Sequence, residues 1–131
     1  MPELSSRSTR EVLEDHLRLA DEGAVEEDLA RNVALDCVVL TGRGVFRGHE
    51  GIRELARQLY EEIPSGRWTY LSTQVADRMA FLEWTVDSGP FHIPDGADSY
   101  LVEDGRIVAQ TIHYTVENKE PDPVLRTRRV G

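Results

Sequence analysis

A single cysteine, Cys37, stands among the 131 residues. That excludes an internal disulfide framework and suits a reducing compartment. The residue follows Asp36 at the head of an apolar run and reads as a buried, unreactive thiol. No run approaches the ~20 apolar residues of a membrane span, and the opening MPELSSRSTR has no apolar core of signal-peptide length. A cytoplasmic protein without membrane association is therefore expected. Positive charge is also scarce. Fifteen Lys and Arg against 24 Asp and Glu leave a net charge of -9, and such a surface repels the phosphates of nucleic acid. The spacings of the GxGxxG and Walker motifs are missing, and so are HxH, HExxH and the facial triad. Neither a cofactor nor a metal is expected. Internal repeats and low-complexity blocks are absent.

Hydrophobic residues supply 40% of the chain and charged residues 30%, the balance of an ordinary globular domain. A chain of this length buries about two-thirds of its unfolded surface in one core. The expected layout is a flexible start over residues 1–8, one domain over 9–117 and a flexible tail over 118–131.

Ser8 and Glu11 have capping-box spacing, and Val12, Leu13, His16, Leu17 and Ala20 follow on one helical stripe that Gly23 ends. A short second helix is predicted over about Val25 to Arg31, and a short strand over Asp36 to Leu40. After the turn Thr41-Gly-Arg-Gly44, Ile52, Leu55, Ala56, Leu59 and Tyr60 mark a third helix, closed by Pro64 and Gly66.

Beyond Gly66 the period changes to two. Trp68 to Ala76, Met79 to Asp87, Phe91 to Val102 and Ile107 to Val116 read as four strands. Pro94-Asp95-Gly96 predicts a break or bulge in the third. Asp104-Gly105 between the last two is a strong hairpin signal, because Gly supplies the positive φ the turn needs. Alternation puts Asp98, Tyr100 and Val102 on one face, with Gln110, Ile112 and Tyr114 sharing a side of the next strand. Ile107, Ala109, Thr111 and His113 take the other side. Helices followed by a mixed or antiparallel sheet give an α+β fold: a cone-shaped curved sheet wrapped around N-terminal helices.

The order of elements, with GHEGIREL after the first strand and the closing YLVEDGRIVAQTIHY, resembles the nuclear transport factor 2-like superfamily and its SnoaL-like small-molecule branch. The resemblance spans roughly Thr9 to Glu117. It implies a cystatin-like roll with a pocket between sheet and helices, on a scaffold that hosts isomerases, cyclases, hydrolases, dehydratases and non-catalytic binders. Set against ketosteroid isomerase, the tyrosine of the oxyanion hole falls on His16 and its protonated aspartic acid on Asp98. Trp84, Tyr100, Gln110, Ile112 and Tyr114 then fall on the pocket wall and are the expected substrate-binding residues.

The departures are as informative. The isomerase's general base would lie near Leu40 or Thr41, neither of which abstracts a proton at neutral pH. Epoxide hydrolases of the limonene type have an arginine where this chain has Gly96, and the cyclase aspartate falls on Ile112. No single relative's activity transfers intact.

His16 and Asp98 are the expected catalytic pair, hydrogen-bonded across the pocket floor. They would act as an acid/base couple on a small apolar carbonyl compound, or else form a structural pair. The alternative function is a ligand-binding or dimerisation module without turnover. Phe81, Ile107, Ala109 and Thr111 are expected on the outer sheet face, where they predict an isologous homodimer.

Overall fold

The computed structural model describes residues 3–118, so the tail expected over 118–131 lies, apart from Asn118, outside the described residues. Three helices, α1 (Thr9–Asp21), α2 (Val25–Asn32) and α3 (Gly48–Glu62), are combined with seven strands. The strands are β1 (Val33–Thr41), β2 (Gly44–Arg47), β3 (Arg67–Ala76), β4 (Met79–Asp87), β5 (Phe91–Glu103), β6 (Arg106–His113) and β7 (Glu117–Asn118). They form one mixed, unclosed sheet in the order β2-β1-β6-β5-β4-β3, with β7 pairing β5. Only the β1–β6 contact is parallel.

The capping box of α1 forms as its sequence implies: Ser8 accepts from the Glu11 amide, and the Glu11 side chain accepts from the Ser8 amide. Arg7, expected to be flexible, is instead anchored. Its guanidinium donates to the carbonyls of Leu4, Arg31 and Gly105 and to the side chain of Asn32. The Asp104-Gly105 turn has φ of 51° and 72°, the paired positive values of a type I′ hairpin.

Curvature comes from three bulges on successive strand pairs. Leu71 is extra on β3, one residue around Pro94 and Asp95 is extra on β5, and Val108 is extra on β6. Each bends its strand and raises the local twist, so the sheet curls toward the helices. The bulge at Val108 also corrects the expectation for Ile107. Simple alternation puts that residue outside, but the extra residue returns it inward opposite Val102, and it is fully buried.

The core lies between the concave face and the helices. Val12 and Leu13 of α1, Leu29 of α2, and Leu82, Trp84 and Val86 of β4 are among its members. On the convex face two cross-strand rows stand open. One is Val38, Ala109, Leu101 and Met79, and the other is Leu40, Thr111, Ser99 and Phe81. No described helix is long and apolar enough to cross a membrane.

Candidate functional site

A cavity of about 160 Å³ opens between the concave sheet and the three helices. Its wall is mainly apolar, with Leu17, Leu55, Leu59, Leu82 and Ile112 among the contributors. The polar side chains reaching it gather on His16, Asp28, Asp98, Tyr100 and Gln110.

Sheet register explains the grouping on that side. Asp98 sits on β5 between Leu82 of β4 and Ile112 of β6, and Tyr100 sits between Ala80 and Gln110. Residues two apart on a strand share a face, so Asp98 and Tyr100 point inward together. Trp84 lies opposite Gly96. A Cβ at position 96 would stand 2.2 Å from the indole ring, so only glycine lets the ring lie over the strand.

Asp98 is 7% exposed, and among the described residues its hydrogen-bond donors are all neutral. Trp84 Nε1 donates to Oδ1 at 2.9 Å, while Tyr100 Oη and Gln110 Nε2 donate to Oδ2 at 2.7 and 3.4 Å. Burial pushes the Asp98 pKa up, and these bonds together with the His16 charge offset only part of the rise. Burial, followed by the Asp98 charge, holds the Tyr100 hydroxyl well above its usual value.

His16 projects from the α1 stripe between Leu13 and Leu17. Its partner is not Asp98, which corrects the expected hydrogen-bonded pair. Nδ1 meets Asp28 Oδ2 of α2 at 2.7 Å, and Asp28 Oδ1 accepts from Asn32 Nδ2 at 2.9 Å. His16 and Asp98 line the same cavity without a bond between them, and the Tyr100 ring stands edge-on to His16 at 5.6 Å. Burial lowers the His16 pKa, but the Asp28 bond and the charges of Asp28, Asp98 and Asp15 outweigh it, and the net shift is upward.

Of the expected wall residues, Trp84, Tyr100, Gln110 and Ile112 line the cavity. Tyr114 does not. Strand β6 ends at His113, and Tyr114 packs against the core beyond the cavity rather than lining it. Its ring lies 6.0 Å from that of Trp84, its hydroxyl donates to Glu62 at 3.0 Å, and the Arg43 guanidinium sits over it at 5.1 Å.

Trp68, Tyr70 and above all Asp28 are cavity-lining positions that the sequence reading missed. Asp28 follows Glu26 and Glu27 in the first turn of α2, where three acids in a row read as complements to the helix dipole. The available signal was Asp28, Leu29 and Asn32 on one buried stripe. Among the described residues, no three His, Cys, Asp or Glu side chains are grouped to hold a metal ion.

Solved structures share this architecture. A candidate ketosteroid isomerase from Kribbella flavida DSM 17836 aligns with a TM-score of 0.68 and 19% identity, over 88% of this chain and 82% of that one. A candidate polyketide cyclase from Sinorhizobium meliloti gives 0.64 and 16%, over 78% and 93%. An NTF-2 like protein of unknown function from Burkholderia xenovorans LB400 gives 0.67 and 13%, over 94% and 93%. At such identities the likeness carries the fold alone. No curated protein matches the chain. Residues 13–110 match the SnoaL-like domain, and with most of its length inside that match the chain belongs to the SnoaL-like family.

Proposed function

We propose that the protein binds a small, mostly apolar carbonyl compound in this cavity and acts on it without a cofactor. The reaction would be of the isomerase, cyclase or dehydratase type, with His16 and Asp98 as the working polar groups. One observation carries the reading. In a mainly apolar cavity, His16 has one ring nitrogen fixed by Asp28, and the other has no hydrogen-bond partner among the described residues. An imidazole so placed is suited to moving a proton at a carbon beside a carbonyl.

Asp98 complements it through Tyr100. When Asp98 is neutral, its own proton can be donated to the Tyr100 oxygen across the 2.7 Å contact. The Tyr100 hydroxyl hydrogen is then released toward the cavity, where it can stabilise developing charge on a carbonyl oxygen. The raised Asp98 pKa favours that neutral form. The cavity volume matches cavities of about 150 Å³ that admit a benzene-sized molecule, which suits cyclic carbonyl compounds rather than nucleotides. A cytoplasmic setting and a homodimer joined through the two open rows of the convex face complete the proposal.

The test combines binding with exchange. A panel of neutral cyclic ketones and enones is screened by thermal shift, and hits are followed by NMR for deuterium uptake at the carbon beside the carbonyl. A ligand at a hundred times its Kd stabilises by about 2.7 kcal/mol, well within detection. The expected result is stabilisation by neutral carbonyl compounds, with exchange lost in His16→Phe and Asp98→Asn. Stabilisation by phosphorylated metabolites alone would overturn the reading.

A further inference from the structure

We propose that Asp28 is a positioning residue that fixes which nitrogen of His16 handles the proton: Nδ1 is kept protonated against Asp28, and Nε2 becomes the base that faces the ligand. The use made of that base rests on the function proposed above, but the tautomer itself is a property of the free protein.

The assignment follows from a chain of donors with only one consistent direction. Arg7 can only donate, and its Nη1 lies 2.8 Å from Asn32 Oδ1. The Asn32 amide therefore cannot be turned around, and its Nδ2 must point at Asp28 Oδ1, 2.9 Å away. An ionised carboxylate only accepts. With Oδ1 taken by Asn32, Oδ2 is left for the 2.7 Å contact with His16, and that contact requires a hydrogen on Nδ1. Asn32 is fully buried, so its amide cannot exchange these partners for bulk water, and Asp28 is about nine-tenths buried. Arg7 is locked in turn by the carbonyls of Arg31 and Gly105, each at 2.8 Å. The first residues of the chain thus hold the imidazole in place through two intermediates.

The chemical consequence is specific. As Nε2 takes a proton from carbon, the C–H bond breaks, an Nε2–H bond forms, and the electron pair moves through the new C=C bond to the carbonyl oxygen. The imidazolium that results keeps its Nδ1–H on Asp28, whose charge stabilises it, and Nε2–H can return the proton to another carbon. The groups around His16 are Asp15 on its own helix, Asp28 on α2, Asp98 and Tyr100 on β5, Tyr70 on β3 and Tyr60 on α3. Asp28 alone of these is within hydrogen-bond distance of the ring.

The experiment is two-dimensional NMR of the ring nitrogens in the full chain labelled with 15N-histidine, with the His16 signals assigned by their loss in His16→Gln. In the wild type above the His16 pKa, Nδ1 is expected to be pyrrole-like and Nε2 pyridine-like. In Asp28→Asn the preference should be lost and the His16 pKa should fall by about one pH unit or more, a tenfold loss of proton affinity. A protonated Nε2 in the neutral wild-type ring would overturn the proposal. So would a folded Asp28→Asn protein whose tautomer and pKa are unchanged. If Asp28→Asn does not fold, the wild-type tautomer decides alone. No ligand is used, so failure of the proposed carbonyl chemistry leaves this outcome untouched, and ketone exchange with the wrong tautomer would remove only the role of Asp28.

Discussion

Replacing Gly96 with alanine tests the site at its tightest point. The added Cβ would lie 2.2, 2.3 and 2.5 Å from three carbons of the Trp84 indole, where carbon atoms at rest stand about 3.5–4.0 Å apart. The ring must therefore withdraw by more than an ångström. It is held on its other sides by the 2.9 Å bond from Nε1 to Asp98 and by the Trp68 ring at 4.7 Å. Overpacking a filled core costs about 1–3 kcal/mol. If the indole slides far enough to lose the carboxylate, about 1.5–3 kcal/mol is added for a bond to a charged acceptor. The sum is roughly 2.5–6 kcal/mol, and at about 3–5 °C per kcal/mol for a domain of this length the melting temperature should fall by ~8–30 °C. Thermal unfolding followed by near-ultraviolet circular dichroism reads both the stability and the tryptophan environment. Gly42→Ala is the control, because a Cβ there meets nothing within 4 Å, and it should stay within about 0.5 kcal/mol of the wild type. A Gly96→Ala protein melting within ~3 °C of the wild type, with its aromatic spectrum intact, would refute the claim that the indole requires glycine beneath it.

Three further outcomes are expected. Because burial raises the Asp98 pKa and the carboxylates raise that of His16, both groups stabilise the fold when protonated. Their contributions are complete below about pH 3.9 and 6.5 respectively, and are lost as pH rises through the raised values, by about 1.4 kcal/mol for each pH unit of elevation; urea titrations of Asp98→Asn and His16→Gln from pH 4 to 9 should show less loss with rising pH than the wild type, and parallel curves would count against this. Cys37 is fully buried and its pKa is pushed up to about 11 by burial and then by Asp36, so thiol labelling at pH 8 should run at least two-hundred-fold slower than in urea, roughly the ratio of thiolate fractions against a free thiol of pKa about 8.5, and fast native labelling would contradict it. Phe81 is 38% exposed and Met79 62% on the open convex rows, so Phe81→Glu should shift sedimentation from dimer toward monomer, and a wild type already monomeric at micromolar concentration would remove the dimer.

Period and punctuation made the fold legible. The Ser8 and Glu11 box, the Asp104-Gly105 turn and the span of β4 all formed where their local chemistry puts them, because each rests on contacts within a few residues. The errors fall where an extra residue resets the period or a strand ends. Alternation through β6 misplaced Ile107 because the bulge at Val108 is set by pairing with β5, which a single strand does not reveal. Tyr114 packs on the core side, as alternation has it, but past the end of β6 it lies beyond the cavity, with its hydroxyl on Glu62. In the cavity, alternation grouped Asp98 with Tyr100 and Gln110 with Ile112, while the choice of that face, and of Trp84, as the pocket wall came from the resemblance to ketosteroid isomerase. The partner of His16 was legible from neither. Three acids open α2, and only the angle at which α2 packs on α1 selects Asp28 for the ring, a tertiary quantity with no local signature.

Three carboxylates act electrostatically on His16, and their own partners assign them different tasks. Asp15 is bound by Arg18 and Arg31 at 2.8 Å, with Arg7 at 3.5 Å. Burial would lift its pKa, but the bonds from Arg31, Arg18 and Asn32 overcome that and hold it well below the usual carboxylate range. Asp15 therefore stays ionised across any working pH and acts as fixed negative charge. Asp28 is spent on His16 and Asn32. Asp98 is the member of the set whose hydrogen-bonded partners are all neutral, and neutral donors stabilise a buried carboxylate less than an adjacent cation does. It is accordingly the carboxyl whose proton can come and go as the charge on His16 or on a ligand changes. A base held by Asp28 on one side of the cavity, and an acid of variable charge on the other, is an arrangement in which the two pKa values respond to each other. Protonating His16 favours ionised Asp98, and deprotonating it favours the neutral acid. Proton uptake at one wall is thereby linked to proton release at the other, as enolisation requires when a base removes a proton from carbon while a donor supports the oxygen.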